Sequence, residues 1–214
     1  MKRIAFISII TALLFSSCKK DTSIPNQPDT PVTVTDYFPL QIGSYWLYET
    51  YRADSSLQFV DDNITDSVWI DRDSVLNGNT YKIFRSSRWP IQLFRDSADY
   101  IVNELGQKLF TIKNTSDYLV NQYQPMTDSA FYNTAVVKQS DSLCVVPAGG
   151  FQAKYVVGTV TARKPSPTSM TKRNYYFAFA KHVGMVFRRI LYAADAIYLE
   201  ERLVRHYVNI GQMY

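Results

Sequence analysis

Two cysteines, two histidines and no long basic run close most of the usual routes to chemistry in this 214-residue chain. Two cysteines build no disulfide framework, and Cys144, inside the apolar run Leu143-Cys144-Val145-Val146, reads as a small buried hydrophobe. His182 sits at a turn and His206 in the last element, too few for a structural zinc site, so no metal is expected. The G-x-S-x-G elbow, the H-E-x-x-H helix, the phosphate-binding glycine loop and the paired C-x-x-C are all missing. No catalytic residue and no cofactor are therefore predicted. Lysine and arginine form no stripe, which argues against a nucleic-acid partner.

Carboxylates are the chemistry left over. Asp61-Asp62, Asp71 with Asp73, and Glu200-Glu201 are local clusters. A glycosidase needs two carboxyls at a set spacing across a cleft. Asp71-Arg72-Asp73 beside a hairpin turn reads more simply as a solvated strand face. An envelope hydrolase with a carboxylate pair is thus an alternative reading, as is a purely structural or assembly role.

The N-terminus carries the clearest signal. Met-Lys-Arg opens the chain, and Ile4 to Phe15 is apolar apart from Ser8 and Thr11, the layout of a secretory signal. Twelve helical residues cover roughly 18 Å against a hydrocarbon core of ~30 Å, too short for a permanent span. Leu14-Phe15-Ser16-Ser17-Cys18 then resembles the lipobox of bacterial lipoproteins, with Phe15 where leucine is commonest. The resemblance implies diacylation of Cys18, cleavage before it, and a membrane as the first partner. Losing Lys2 and Arg3 with the signal would lower the formal charge from +4 by two, to +2. With Cys18 lipidated, Cys144 has no partner for a disulfide.

From Lys19 to Asp36 the chain is polar, holds Pro25, Pro28 and Pro31, and shows no hydrophobic period, so it reads as a semi-rigid tether. At ~3.1 Å per residue it would reach roughly 50 Å. The expected organisation is residues 1–17 signal peptide, 18–36 lipidated cysteine and tether, and 37–214 a β domain.

In that domain period two dominates. Tyr45 to Tyr51 puts Trp46 and Tyr48 on one face and Tyr45 and Leu47 on the other. Asp66–Ser74 and Thr80–Arg85 flank Asn77-Gly78-Asn79, a hairpin signal. Further strands are expected near residues 91–94, 100–103, 108–113, 142–146, 151–161, 174–181 and 185–192. Short strands at even spacing, with 16 Tyr, 12 Phe and 3 Trp, predict a mainly β fold. The expected form is a single antiparallel, strongly curved sheet (barrel, half-barrel or sandwich) with little helix. Residues 196–210 fit either a helical face or a strand, with a closing strand preferred.

Three stretches resemble small Bacteroidota-type outer-membrane lipoproteins of uncharacterised families: Tyr37-Phe38-Pro39-Leu40 with Gly43, Tyr45 and Trp46; Val146-Pro147-Ala148-Gly149-Gly150-Phe151; and Tyr176-Phe177-Ala178 with Val183-Gly184-Met185-Val186. The resemblance implies a lipid-anchored place in the bacterial cell envelope, at the outer membrane, on a leaflet left open by Lys19-Lys20-Asp21. Five Asp-Ser triplets also resemble O-glycosylation acceptors of that group, at Ser67, Ser74, Ser97, Ser129 and Ser142, although Asp-Ser is equally good turn chemistry. Trp46 and Tyr48 are core residues that can double as a ligand-stacking surface. The leading expectation is a non-catalytic β domain binding a lipid, a glycan or an envelope protein. An apolar enclosed cavity would favour a lipid; open, exposed aromatics would favour a glycan.

Overall fold

Alternation along the chain builds the first strand. In β1 (Tyr45–Ala53) the side chains of Trp46, Tyr48 and Thr50 are buried, whereas Tyr45 points the other way and is exposed. The computed structural model describes residues 31–53, 56–113, 119–122, 131–137, 141–162, 172–191 and 197–210. Cys18 and the expected signal peptide lie outside the described residues, as does Ser129.

Before β1 comes one helical turn, α1 (Val34–Tyr37), capped by Thr33 and Asp36, each bonding the other's end of the turn. Val34 and Tyr37 are buried, so the folded unit, Val32–Tyr214, takes in residues just ahead of Tyr37. Twelve more strands follow: β2 (Val60–Leu76), β3 (Asn79–Ser86), β4 (Gln92–Ser97), β5 (Tyr100–Asn103), β6 (Lys108–Thr111), β7 (Val120–Gln122), β8 (Phe131–Val137), β9 (Ser142–Val146), β10 (Gly149–Ala162), β11 (Lys172–Ala180), β12 (Gly184–Leu191) and β13 (Tyr198–Tyr207). The ambiguous segment near the C-terminus is therefore a strand. Across its middle, Arg202 and Val204 are more exposed than Glu201 and Leu203, the period-two pattern.

All thirteen strands belong to one antiparallel sheet curled into a half-barrel. Its order is β6-β5-β4-β3-β2-β1-β13-β12-β11-β10-β8-β7, with β9 paired to the first half of β10. Two meanders, β1 to β6 and β8 to β13, thus meet where β1 pairs with β13. The β2–β3 turn forms as expected, with positive φ at Asn77 (51°) and Gly78 (75°), the turn whose twist suits a hairpin.

Curling brings the far ends of the two meanders together across the concave face. Ile101 and Phe110 from one wing share an apolar cluster with Ala135, Val156 and Phe179 from the other. The Phe110 and Phe179 rings lie 4.6 Å apart, and Tyr37 of α1 packs on Phe110 at 6.1 Å. Each such side chain contributes ~1.5–3 kcal/mol on burial. That apolar contact spans the two wings. It also leaves room between them.

Candidate functional site

The room is an aromatic-walled cleft on the concave face. One chamber, about 200 Å³, is lined among others by Phe38, Trp46, Phe84, Phe94, Phe179 and Met185. These rings brace one another: Phe38 meets Phe94 edge-on at 5.4 Å, Phe84 meets Phe94 at 5.0 Å, and Trp46 stacks on Phe84 at 6.2 Å. A second chamber, about 410 Å³, is walled by Leu119, Val156, Val160, Ile190 and Leu191 with Tyr175, Asn133 and Lys108. Leu109 and Phe177 line both chambers, so the two adjoin at a waist between β6 and β11.

Trp46 and Tyr48 both face the first chamber, and each secures its polar atom on a backbone carbonyl. Trp46 Nε1 donates to Val183 O at 2.6 Å, and Tyr48 Oη donates to Met185 O at 2.8 Å. Complete burial pushes the Tyr48 phenol far above its ordinary range, so it stays protonated and donating. In the second chamber the Tyr175 ring lies flat over Gly158, where a Cβ would sit 1.7 Å from it. Only glycine lets that ring settle there, and its hydroxyl donates to Asn133 Oδ1 at 2.9 Å.

Against the first chamber, and lining it through Ser86, Trp89 and Arg188, lies a polar cluster with two buried acids. Asp66 and Glu201 are fully buried, and both face Arg188, whose guanidinium lies 2.5 Å from Glu201 Oε2 and 3.8 Å from Asp66 Oδ2. The segment after β3 is pinned over them. Ser86 Oγ donates to Asp66 at 2.7 Å and accepts the Trp89 backbone N–H at 2.8 Å. Trp89 Nε1 donates to Glu201 Oε1 at 2.9 Å, and Arg88 Nη1 donates to Thr50 Oγ1 at 2.7 Å. From this Ser86-Ser87-Arg88-Trp89-Pro90 strap, which the sequence pattern did not single out, Ser86, Trp89 and Pro90 line the chamber beside Arg85 and Gln92.

None of the three carboxylate clusters sets two carboxyls across the cleft. Asp71 pairs with Arg85 and Asp73 with Lys82 on neighbouring β3, and Asp62 pairs with Arg52. Glu200 and Glu201 are adjacent in a strand, so their side chains leave on opposite faces. Glu201 meets Arg188, while Glu200 is clamped by Arg189 (2.6 Å) and Arg202 (2.6 Å). Among the described residues no Asp or Glu lines either chamber, and no group of His, Cys, Asp and Glu could hold a metal.

The remaining expected residues fall elsewhere. Cys144 is buried and free, and burial pushes its thiol up and away from reactivity. Ser67 is exposed on β2, whereas Ser74, Ser97 and Ser142 are half-buried in β2, β4 and β9. Asp66, the acid of the first triplet, is committed to the buried cluster.

No protein-family model matches the chain, and no curated protein matches it. Two solved structures are similar to it over most of its length. One is a protein inferred to be exported, with a YmcC-like fold, from Bacteroides fragilis NCTC 9343. It is 13% identical, covers 80% of this chain and 98% of that one, and superposes with a TM-score of 0.43. The other, an inferred lipoprotein from Parabacteroides distasonis ATCC 8503, is 14% identical and covers 83% of this chain and 100% of that one, with a TM-score of 0.37. At those scores neither structure lends this chain a function or a family.

Proposed function

We propose that this chain is a lipid-anchored bacterial cell-envelope protein whose half-barrel binds an apolar chain without catalysing its conversion. The observation that carries the reading is that two apolar chambers adjoin at Leu109 and Phe177, and the reading takes that junction as the waist of one elongated cleft. Together they reach the ~300–1,000 Å³ of ordinary ligand sites, with an apolar lining and a few polar groups at the rims. A long, unbranched hydrocarbon fits that shape better than a sugar ring does.

The test uses the protein's own fluorophores. Trp46 and Trp89 both line the first chamber. Full-length protein trapped in amphipol should lose tryptophan fluorescence, saturably, when titrated with stearate dibrominated at carbons 9 and 10. Phe177→Trp, which fills the waist, should weaken that binding about tenfold while leaving the circular dichroism intact. Unsaturable quenching, or quenching indifferent to the waist, would defeat the reading.

The anchor rests on Cys18 and its flanking residues. Wild-type protein should stay with the membrane through a carbonate wash, because several acyl chains make dissociation negligible. Cys18→Ala should be released. Retention of the variant would overturn the anchor.

A further inference from the structure

Three cationic side chains line the cleft, and two of them are matched by carboxylates. Arg85 pairs with Asp71 at 2.7 Å, and Arg188 is held between Glu201 and Asp66. The third, Lys108, pairs with no carboxylate among the described residues and lines the second chamber. Its ammonium instead lies 4.1 Å from the centre of the Tyr100 ring, which steadies it without neutralising it. A cation left unmatched at the rim of an apolar cavity is the arrangement that selects an anion attached to a hydrocarbon.

We infer that the ligand is a single-chain amphiphile with an anionic head, carboxylate or phosphate, seated at Lys108, and with its tail running through the waist. This rests on the cleft binding an apolar chain. The chain direction follows from position: Lys108 is followed directly by Leu109, one of the two residues shared by both chambers. Beyond the waist the tail meets the aromatic wall of Phe38, Phe84 and Phe94. A second donor stands on the Lys108 side. Asn133 Oδ1 accepts from Tyr175, so the amide nitrogen keeps its two N–H groups for another acceptor. In the first chamber both arginines are matched by carboxylates, and Trp89 Nε1 is already bonded to Glu201.

The experiment compares heads on one tail. Amphipol-trapped full-length protein is titrated, by the same tryptophan quenching, with the dibrominated C18 acid, the corresponding alcohol and the corresponding alkyl phosphate. At low salt the acid or the phosphate should bind about three- to tenfold tighter than the alcohol, and added salt should shrink the difference. The tighter of the two anions names the head. Lys108→Gln should erase the preference for the anion and leave alcohol binding unchanged. Arg205→Gln, which removes an exposed cation away from the cleft, should change neither. If the alcohol binds as tightly as both anions, or Lys108→Gln weakens all three equally, the head-group assignment falls while the apolar cleft stands. If none of the three quenches saturably, both fall.

Discussion

Glu201→Ala should lower the stability of the fold by about 3–5 kcal/mol, the cost of removing one partner from a buried ion pair. Glu201 is fully buried, and its two oxygens divide between Trp89 Nε1 at 2.9 Å and Arg188 at 2.5 Å. Without it the guanidinium, itself only 14% exposed, keeps Asp66, at 3.8 Å, as its one carboxylate partner among the described residues. For a domain of this size the loss corresponds to a fall of roughly 10 °C in the thermal midpoint, measurable by circular dichroism or calorimetry. The surface pair supplies the contrast. Arg52, half-exposed against Asp62, should cost less than about 1 kcal/mol on truncation to alanine. A shift for Glu201→Ala no larger than that of Arg52→Ala would mean that solvent at the chamber compensates Arg188 for the lost carboxylate, and the buried pair would carry no more than a surface pair.

Trp46→Ala is expected to cost a similar ~3–5 kcal/mol, through a different mechanism. Trp46 is 3% exposed, stacks on Phe84 and donates its indole N–H to Val183 O at 2.6 Å. Truncation opens a hole in the aromatic wall and strands a carbonyl next to the β11–β12 turn. Urea unfolding followed by far-ultraviolet circular dichroism gives the loss without relying on the fluorophore removed. Trp69 is the control. It is 37% exposed on the opposite face, beside Tyr45, and Trp69→Ala should shift the midpoint far less. Equal losses at the two positions would remove Trp46 from the wall. Trp46→Phe should recover most of the packing and isolate the hydrogen bond.

Much of the sheet was legible because one face of each strand is buried and the other is wet. Tyr45 to Tyr51 and residues 142–146 show that alternation, the Asn77-Gly78 hairpin is marked instead by its turn residues, and each forms the element expected, within a few residues at its ends. The first half of β2 does not show it. Val60 to Thr65 carry polar side chains on both faces and are almost wholly exposed, so only the pairing with β1 makes them a strand. β8, residues 131–137, is defined in the same way by its register with β10.

The cleft was far less visible. Trp46 and Tyr48 were singled out as aromatic, and they do reach it. Lys108, Leu109 and Arg188 were not, because nothing about their neighbours in sequence distinguishes them from other strand residues, and Phe177 entered only as part of the Tyr176-Phe177-Ala178 stretch. The Glu200-Glu201 cluster shows the same limit from the other side. Two adjacent acids suggested a carboxylate pair, yet strand geometry sends them to different arginines on different faces.

The sequence by itself determined the class of fold and the lipobox pattern at Cys18, since both are written in local periodicity and short contiguous motifs. It also excluded a disulfide framework and most motif-borne catalysis, which composition alone can do. Only the tertiary structure decided that the sheet is an open half-barrel and that its wings meet at Phe110 and Phe179. Only it decided which cations stand matched and which stands free. Those outcomes depend on sheet curl and on contacts between residues as far apart as Leu109 and Phe177. A period-two pattern says which face of a strand is buried. It does not say what lies across from it.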